Sequence, residues 1–133
     1  MRIQSNQVKV TKPILEIFSF LKDTRNIFHL LPEDKISDWK ADELSCSFKV
    51  QGGIMIPFLQ TGLEQPTKIF LKSGERAPFK FDLTIFLEDK EGQTEGYLLF
   101  EADVNMFLKM MIEAPLENLF NSMAEKLKTH FEA

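Results

Sequence analysis

The side chains best able to do chemistry are few. The two histidines, His29 and His130, stand far apart in the chain. Neither belongs to a His-x-x-x-His helix motif or has a cysteine pair beside it, so no metal site is expected. His130 falls near the end of a helical stretch, where a cation complements the helix dipole, and a surface cap is its expected role. His29 falls in a short helix near the mouth of any cavity. It and Arg25, which could anchor an acidic ligand head, are candidates there. Cys46 is the single cysteine, which excludes an intrachain disulfide. It shares a strand face with Leu44, Phe48 and Val50, where a thiol behaves as a small hydrophobe. Glu101 and Asp103 lie two apart in one strand and so share a face. The other face carries Leu98, Phe100, Ala102 and Val104, which puts the carboxylates on the wet side. There is no G-x-S-x-G elbow and no glycine-rich phosphate loop; Gly52-Gly53 and Ser73-Gly74 read as hairpin turns. No cofactor and no catalytic residue is expected; Glu101 and Asp103 are the best acid–base lead, and no recognisable catalytic constellation accompanies them. Met106, Met110, Met111 and Met123 gather in the last quarter. Methionine is flexible and polarizable, so they fill gaps in a core or line an adaptable apolar pocket.

These groups need a scaffold, and 133 residues make one domain, residues 1–133. The formal net charge is −4 with no basic stripe, which argues against nucleic acid and against an anionic membrane surface. Phenylalanine dominates the aromatics, 13 against one Tyr and one Trp. Phe adds bulk without a polar handle, so the interior is expected to be rich in rings. The opening MRIQSNQVKV has no apolar segment of signal-peptide type, and the longest apolar stretch, Gly53 to Leu59, is too short to span a bilayer. A lone cysteine fits a reducing compartment, and a cytoplasmic location is expected.

Residues Ile3–Val10 read as a first strand. Ile14, Ile17, Phe18 and Leu21 then fall at helical spacing behind Pro13, which suits a first helical turn. A second short helix covers Thr24–Leu31 and is stopped by Pro32. From there the period falls to two. Lys35–Ala41 and Leu44–Val50 form a hairpin across Asp42-Glu43. Ile54–Gly62, Thr67–Lys72, Phe79–Glu88 and Thr94–Val104 follow, separated by turn residues. Phe79–Glu88 alternates most cleanly, as in a sheet with one buried face. Leu116, Leu119, Phe120, Met123, Leu127 and Phe131 make a last helical stripe. Pro115 suits the first turn of that helix, with Met106–Ile112 a short lead-in or kinked extension. The fold class is therefore α+β, with an antiparallel sheet whose apolar face the last helix covers.

This element order resembles the START-like superfamily, also called Bet v 1-like, SRPBCC or helix-grip. The resemblance is carried by the helix pair in TKPILEIFSFLKDTRNIFHLLP, the run of hairpin strands, and the final helix in PLENLFNSMAEKL. It spans nearly the whole chain. It implies a curved antiparallel sheet of about seven strands wrapped around a long C-terminal helix, with two short helices after strand one. It also implies a cavity between sheet and helix, which in that superfamily takes lipids, sterols, plant hormones or polyketides. Some members are aromatase/cyclases, and others act on chaperones or redox-enzyme assembly. The chain departs from the plant branch, whose glycine-rich loop is here the Asp42-Glu43 turn. It is also short for the superfamily, which implies a small or absent cavity.

Three functions stay open. The first is binding of a hydrophobic or amphipathic small molecule, with Phe48, Phe79, Phe81 and Leu83 as the sheet wall and Leu116, Phe120 and Met123 as the helix wall. The expected cavity is mainly apolar and of a few hundred Å³. The second is a ligand-free protein-interaction domain with a filled core. The third is a cyclase-like enzyme shaping a flexible apolar substrate. Strand parity adds one partner surface. If Phe79, Phe81 and Leu83 face the helix, then Phe70, Phe86, Tyr97 and Leu99 face outward, where they could form an apolar patch and a homodimer contact.

Overall fold

The computed structural model describes residues 1–50 and 52–132. The chain enters as two short strands, β1 (Arg2–Gln4) and β2 (Val8–Val10), both antiparallel to the last strand. The sequence suggests one strand over Ile3–Val10, and Ser5 is the reason it breaks in two. The Ser5 backbone N–H donates to the Leu98 carbonyl at 2.9 Å. The Leu98 N–H donates to Ser5 Oγ at 2.8 Å, so a hydroxyl takes the place of a strand carbonyl.

Pro13 precedes α1 (Ile14–Leu21), whose Ile17, Phe18 and Leu21 are buried. The expected second short helix follows as a 3-10 helix, Thr24–Leu30. Thr24 ties it to the first hairpin, its backbone N–H and its Oγ1 both donating to the Glu43 carbonyl. A one-turn 3-10 helix, Glu33–Lys35, leads into the sheet.

The remaining strands are β3 (Ser37–Ala41), β4 (Ser45–Lys49), β5 (Met55–Glu64), β6 (Lys68–Ser73), β7 (Phe81–Lys90) and β8 (Gln93–Ala102). The order across the sheet is β1-β8-β7-β6-β5-β4-β3, with β2 also on β8, and every pairing is antiparallel. From β3 to β8, neighbours in sequence are neighbours in space because the connections are short. The β7–β8 turn places Glu91 at φ 55° and Gly92 at φ 86°, the backbone a two-residue hairpin needs. The long helix α2 (Met106–His130) packs on β1, β2, β8 and the Thr24–Leu30 helix. This is the helix-grip α+β architecture: a curved antiparallel sheet, short helices after the first strands, and a long C-terminal helix.

The core lies between sheet and α2, and it is built from rings. Centroid distances run Trp39–Phe48 6.2 Å, Phe48–Phe58 5.8 Å, Phe58–Phe81 5.7 Å, Phe81–Phe100 5.2 Å and Phe100–Phe120 5.0 Å. This ladder crosses from the β3 edge to α2, and it explains the bias of the composition toward Phe over Tyr. Leu116, Phe120, Met123 and Leu127 of α2 are buried against it, as the helical stripe requires.

The start of α2 differs from the sequence reading. The helix begins not at Pro115 but at Met106, because Asn105 is the stronger start signal: its side-chain oxygen accepts the Leu108 N–H at 2.8 Å. Pro115 therefore sits inside the helix. It cannot donate to the Met111 carbonyl four residues back, and its ring crowds that carbonyl. Pro115→Ala restores the donor. We expect it to raise unfolding free energy by about 1–2 kcal/mol, the helical gain less the entropy proline removes from the unfolded chain. Urea unfolding measures this; a loss of stability would show that the ring itself is needed where it packs.

Candidate functional site

The seven residues expected to wall a ligand cavity, Phe48, Phe79, Phe81, Leu83, Leu116, Phe120 and Met123, are all buried and belong to one core, on the sides of sheet and helix that the patterning gives them. Among the described residues their rings are in mutual contact rather than facing one another across a cavity of a few hundred Å³. Phe81 touches Phe58, Phe79 and Phe100, and Phe100 touches Phe120. Among the described residues, two spaces against α2 are small. One, of about 80 Å³, lies among Ile36, Val50, Pro115 and Leu119; the other, of about 10 Å³, lies among Leu21, Ile85, Met123 and Leu127. Small-molecule sites typically have roughly 300–1,000 Å³. The physical reason is ring volume: five Phe side chains are fully buried in a short chain.

The ionisable candidates are placed as follows. The fold brings His29 and His130 together, ring centroids 5.3 Å apart, with Phe20 stacked on His130 at 4.6 Å. Both are exposed, and the cluster pins the end of α2 to the early helices. Among the described residues no three His, Cys, Asp or Glu side chains converge to hold a metal. Arg25 is already engaged: its Nε and Nη2 donate to the Asp23 carboxylate at 2.9 and 2.6 Å. That hydrogen bonding holds the Asp23 carboxyl below its usual range. Glu101 faces outward between Arg2 and Asp82, while Asp103 lies past the end of β8. Both border an open depression of about 860 Å³ that Phe79 and Phe81 of the expected wall also line, together with Arg2, Lys72, Lys80 and Asp82. Its charges are of both signs and solvated, as expected for a wet face.

Cys46 is buried on β4, and burial pushes its thiol up to about 12. The thiolate is the reactive form. We therefore expect no reaction with a disulfide reagent at pH 8 in the native state and full reaction in urea. Rapid native labelling would place this strand in frequent local opening.

The outward rings occupy the positions parity gives them. Phe70, Thr84 and Leu99 form one row across β6–β7–β8, and Lys68, Phe86 and Tyr97 form the next. They are half-buried. Phe86 stacks on Tyr97 at 4.8 Å, with Lys68 Nζ 5.7 Å from the Phe86 ring centre. A Cβ placed on Gly62 would stand 3.6 Å from the Phe70 ring, so that ring covers the glycine. The face thus covers part of its own apolar area.

Among the described residues, four large apolar side chains close in sequence are exposed elsewhere. Met106 is 70 % exposed, Phe107 74 %, Met110 78 % and Met111 55 %. They form two i,i+4 pairs on the first two turns of α2, so they touch along one face. Met106, Met110 and Met111 therefore lie outside the core; of the gathered methionines only Met123 is in it. Residue type alone does not single out Phe107. The signal is phase. The buried stripe Leu116, Leu119, Phe120, Met123 and Leu127 extends upstream through Ile112 and Leu108. Met106, Phe107, Met110 and Met111 fall on the other side at 100° per residue.

No protein-family model matches the sequence, and no curated protein matches it. Solved structures do. The XoxI protein from Bacillus cereus has a TM-score of 0.75 at 9 % identity, covering 98 % of this chain and 94 % of that one. A protein from Thermus thermophilus has a TM-score of 0.73 at 10 % identity, covering 98 % and 97 %. A conserved protein from Geobacillus kaustophilus has a TM-score of 0.68 at 14 % identity, covering 98 % and 95 %. At these identities the likeness is one of fold, and it extends end to end over both chains.

Proposed function

We propose that this is a START-like domain that works as a protein-interaction module, docking a partner on the outer face of its last helix while its core stays filled. One observation carries the reading: Met106, Phe107, Met110 and Met111 stand 55–78 % exposed as one apolar face, outside a core whose rings are in mutual contact. Four side chains of this size present roughly 500 Å², the range in which a surface patch on a monomer is often functional. The other exposed large apolar residues, Leu15, Leu44, Leu59 and Leu63, lie on three separate elements or turns. The superfamily assignment rests on the element order and on the end-to-end fold likeness.

The experiment is native mass spectrometry of the purified chain, joined to photo-crosslinking through photo-methionine. The expected result is the bare chain mass, with crosslinks to a protein arising at Met106, Met110 or Met111. A stoichiometric small molecule that co-purifies would instead support the ligand-binding reading, with Phe48, Phe79, Phe81, Leu83, Leu116, Phe120 and Met123 as its walls in an opened core. Self-association through Phe70, Phe86, Tyr97 and Leu99 is a second partner reading, supported by their two adjacent rows. Sedimentation at tens of micromolar, with the Phe86→Lys and Leu99→Lys double variant, separates it from docking on α2.

A further inference from the structure

The chain has two imidazoles, and the fold sets them side by side. We propose that His29 and His130 form a two-imidazole site for a borderline divalent cation of the zinc, nickel and copper class. The bound ion would clip the end of α2 to the Thr24–Leu30 helix. This inference is independent of the docking reading. The two residues are far apart in the chain, so no short motif announces them. The 3-10 helix and the last turn of α2 supply the proximity instead.

The spacing fits one shared ion. A zinc–nitrogen bond of about 2.0–2.1 Å puts the ring centre about 3.2 Å from the metal. Two such rings at the tetrahedral angle stand about 5.2 Å apart. The centroids of His29 and His130 are 5.3 Å apart. A half-turn about χ2 keeps each ring in its plane and exchanges its nitrogen and carbon edges. The stack of Phe20 on His130 at 4.6 Å therefore persists whichever edge meets the ion. Phe28 stands 6.1 Å from His29 and Phe131 4.9 Å from His130, so rings on both sides hold the pair in place.

Both imidazoles are exposed, so an ion reaches them from solvent and water fills its remaining positions. Among the described residues no carboxylate is in ion-pair range of either ring. A donor set of nitrogen without carboxylate oxygen suits zinc, nickel or copper and not magnesium or calcium. Lys126, one turn before His130, is a like charge that the ion must tolerate. Its Nζ is held by the Leu31 carbonyl at 2.7 Å.

The test is calorimetry of the whole chain, carrying no affinity tag, with zinc chloride, repeated on His29→Gln and on His130→Gln. A single zinc ion per chain is expected. Either substitution is expected to weaken binding at least tenfold, because a lone imidazole loses the chelate. Zinc should also slow hydrogen exchange in both segments, 24–30 and 126–130, of the native chain and in neither variant. No zinc binding by the native chain, or binding that survives in either variant, overturns the site. Equal uptake of magnesium overturns the imidazole assignment. Zinc bound without slower exchange in both segments overturns the clip.

Discussion

Phe120→Ala is expected to lower the unfolding free energy by about 3–5 kcal/mol, the range for removing a fully buried ring from a core that cannot collapse around the gap. Phe120 is buried on α2, in tilted contact with Phe100 at a centroid distance of 5.0 Å. Phe100 in turn contacts Phe81 and Phe79 on the sheet side. The loss contains two parts: the transfer of the ring, and the contacts that its neighbours no longer make. Collapse is resisted because Leu116 and Met123, one turn either side, are already buried. The variant also makes a cavity where the native chain has rings. A dry apolar cavity takes small apolar probes. Benzene should therefore raise the melting temperature of Phe120→Ala and leave that of the native protein unchanged, since only a state that binds is stabilised. A loss below about 1 kcal/mol, or a native protein stabilised by benzene, would mean that space for a ligand already exists beside Phe120.

The fold is legible because period and punctuation agree along most of the chain. Phe81, Leu83, Ile85 and Leu87 alternate with residues that face out, and the structure pairs Leu83, Ile85 and Leu87 with Phe100, Leu98 and Gly96 in the expected sense. Glu91-Gly92 and Asp42-Glu43 turn the chain where turn chemistry puts them. Boundaries are less legible. The strand expected from Phe79 starts at Phe81, although Phe79 is still buried. Ser5 divides a strand that alternation alone shows as continuous. At α2 two start signals compete, and the side-chain cap of Asn105 prevails over Pro115. The candidate site is legible in composition but not in direction. Patterning puts the seven wall residues on the correct sides of sheet and helix, yet whether facing rings enclose a void depends on separations that no periodicity records. The methionines are legible by type alone until the helix start is known. Their phase against Leu116, Phe120 and Leu127 sets three of them outside, but only with that start at Met106.

Phe81→Trp tests the filled core from the opposite side, by addition rather than removal. Phe81 opens β7 opposite Ala102 of β8, with its ring 5.7 Å from Phe58, 5.8 Å from Phe79 and 5.2 Å from Phe100. An indole is longer and wider, so at least one neighbouring ring must leave its rotamer or the α2 contact must shift, at about 1–3 kcal/mol. Indole also brings an N–H that needs a partner when buried. The polar side chain already engaged at this residue, Ser73 Oγ, accepts the Phe81 backbone N–H at 3.2 Å. Leaving the indole N–H unpaired adds roughly another 1 kcal/mol or more. The expected outcome is a folded chain less stable by about 3 kcal/mol, read from urea midpoints at constant slope. Crosslinking from the Met106, Phe107, Met110 and Met111 face should be unchanged, because those side chains lie on the far side of α2 from the ring ladder. A Phe81→Trp chain as stable as the native one would show a pocket able to take the extra ring, and would return the function to small-molecule binding. A stable core with crosslinking at Met106, Met110 and Met111 lost would instead show that the two faces of α2 are coupled, so that core packing sets the pose of the docking residues.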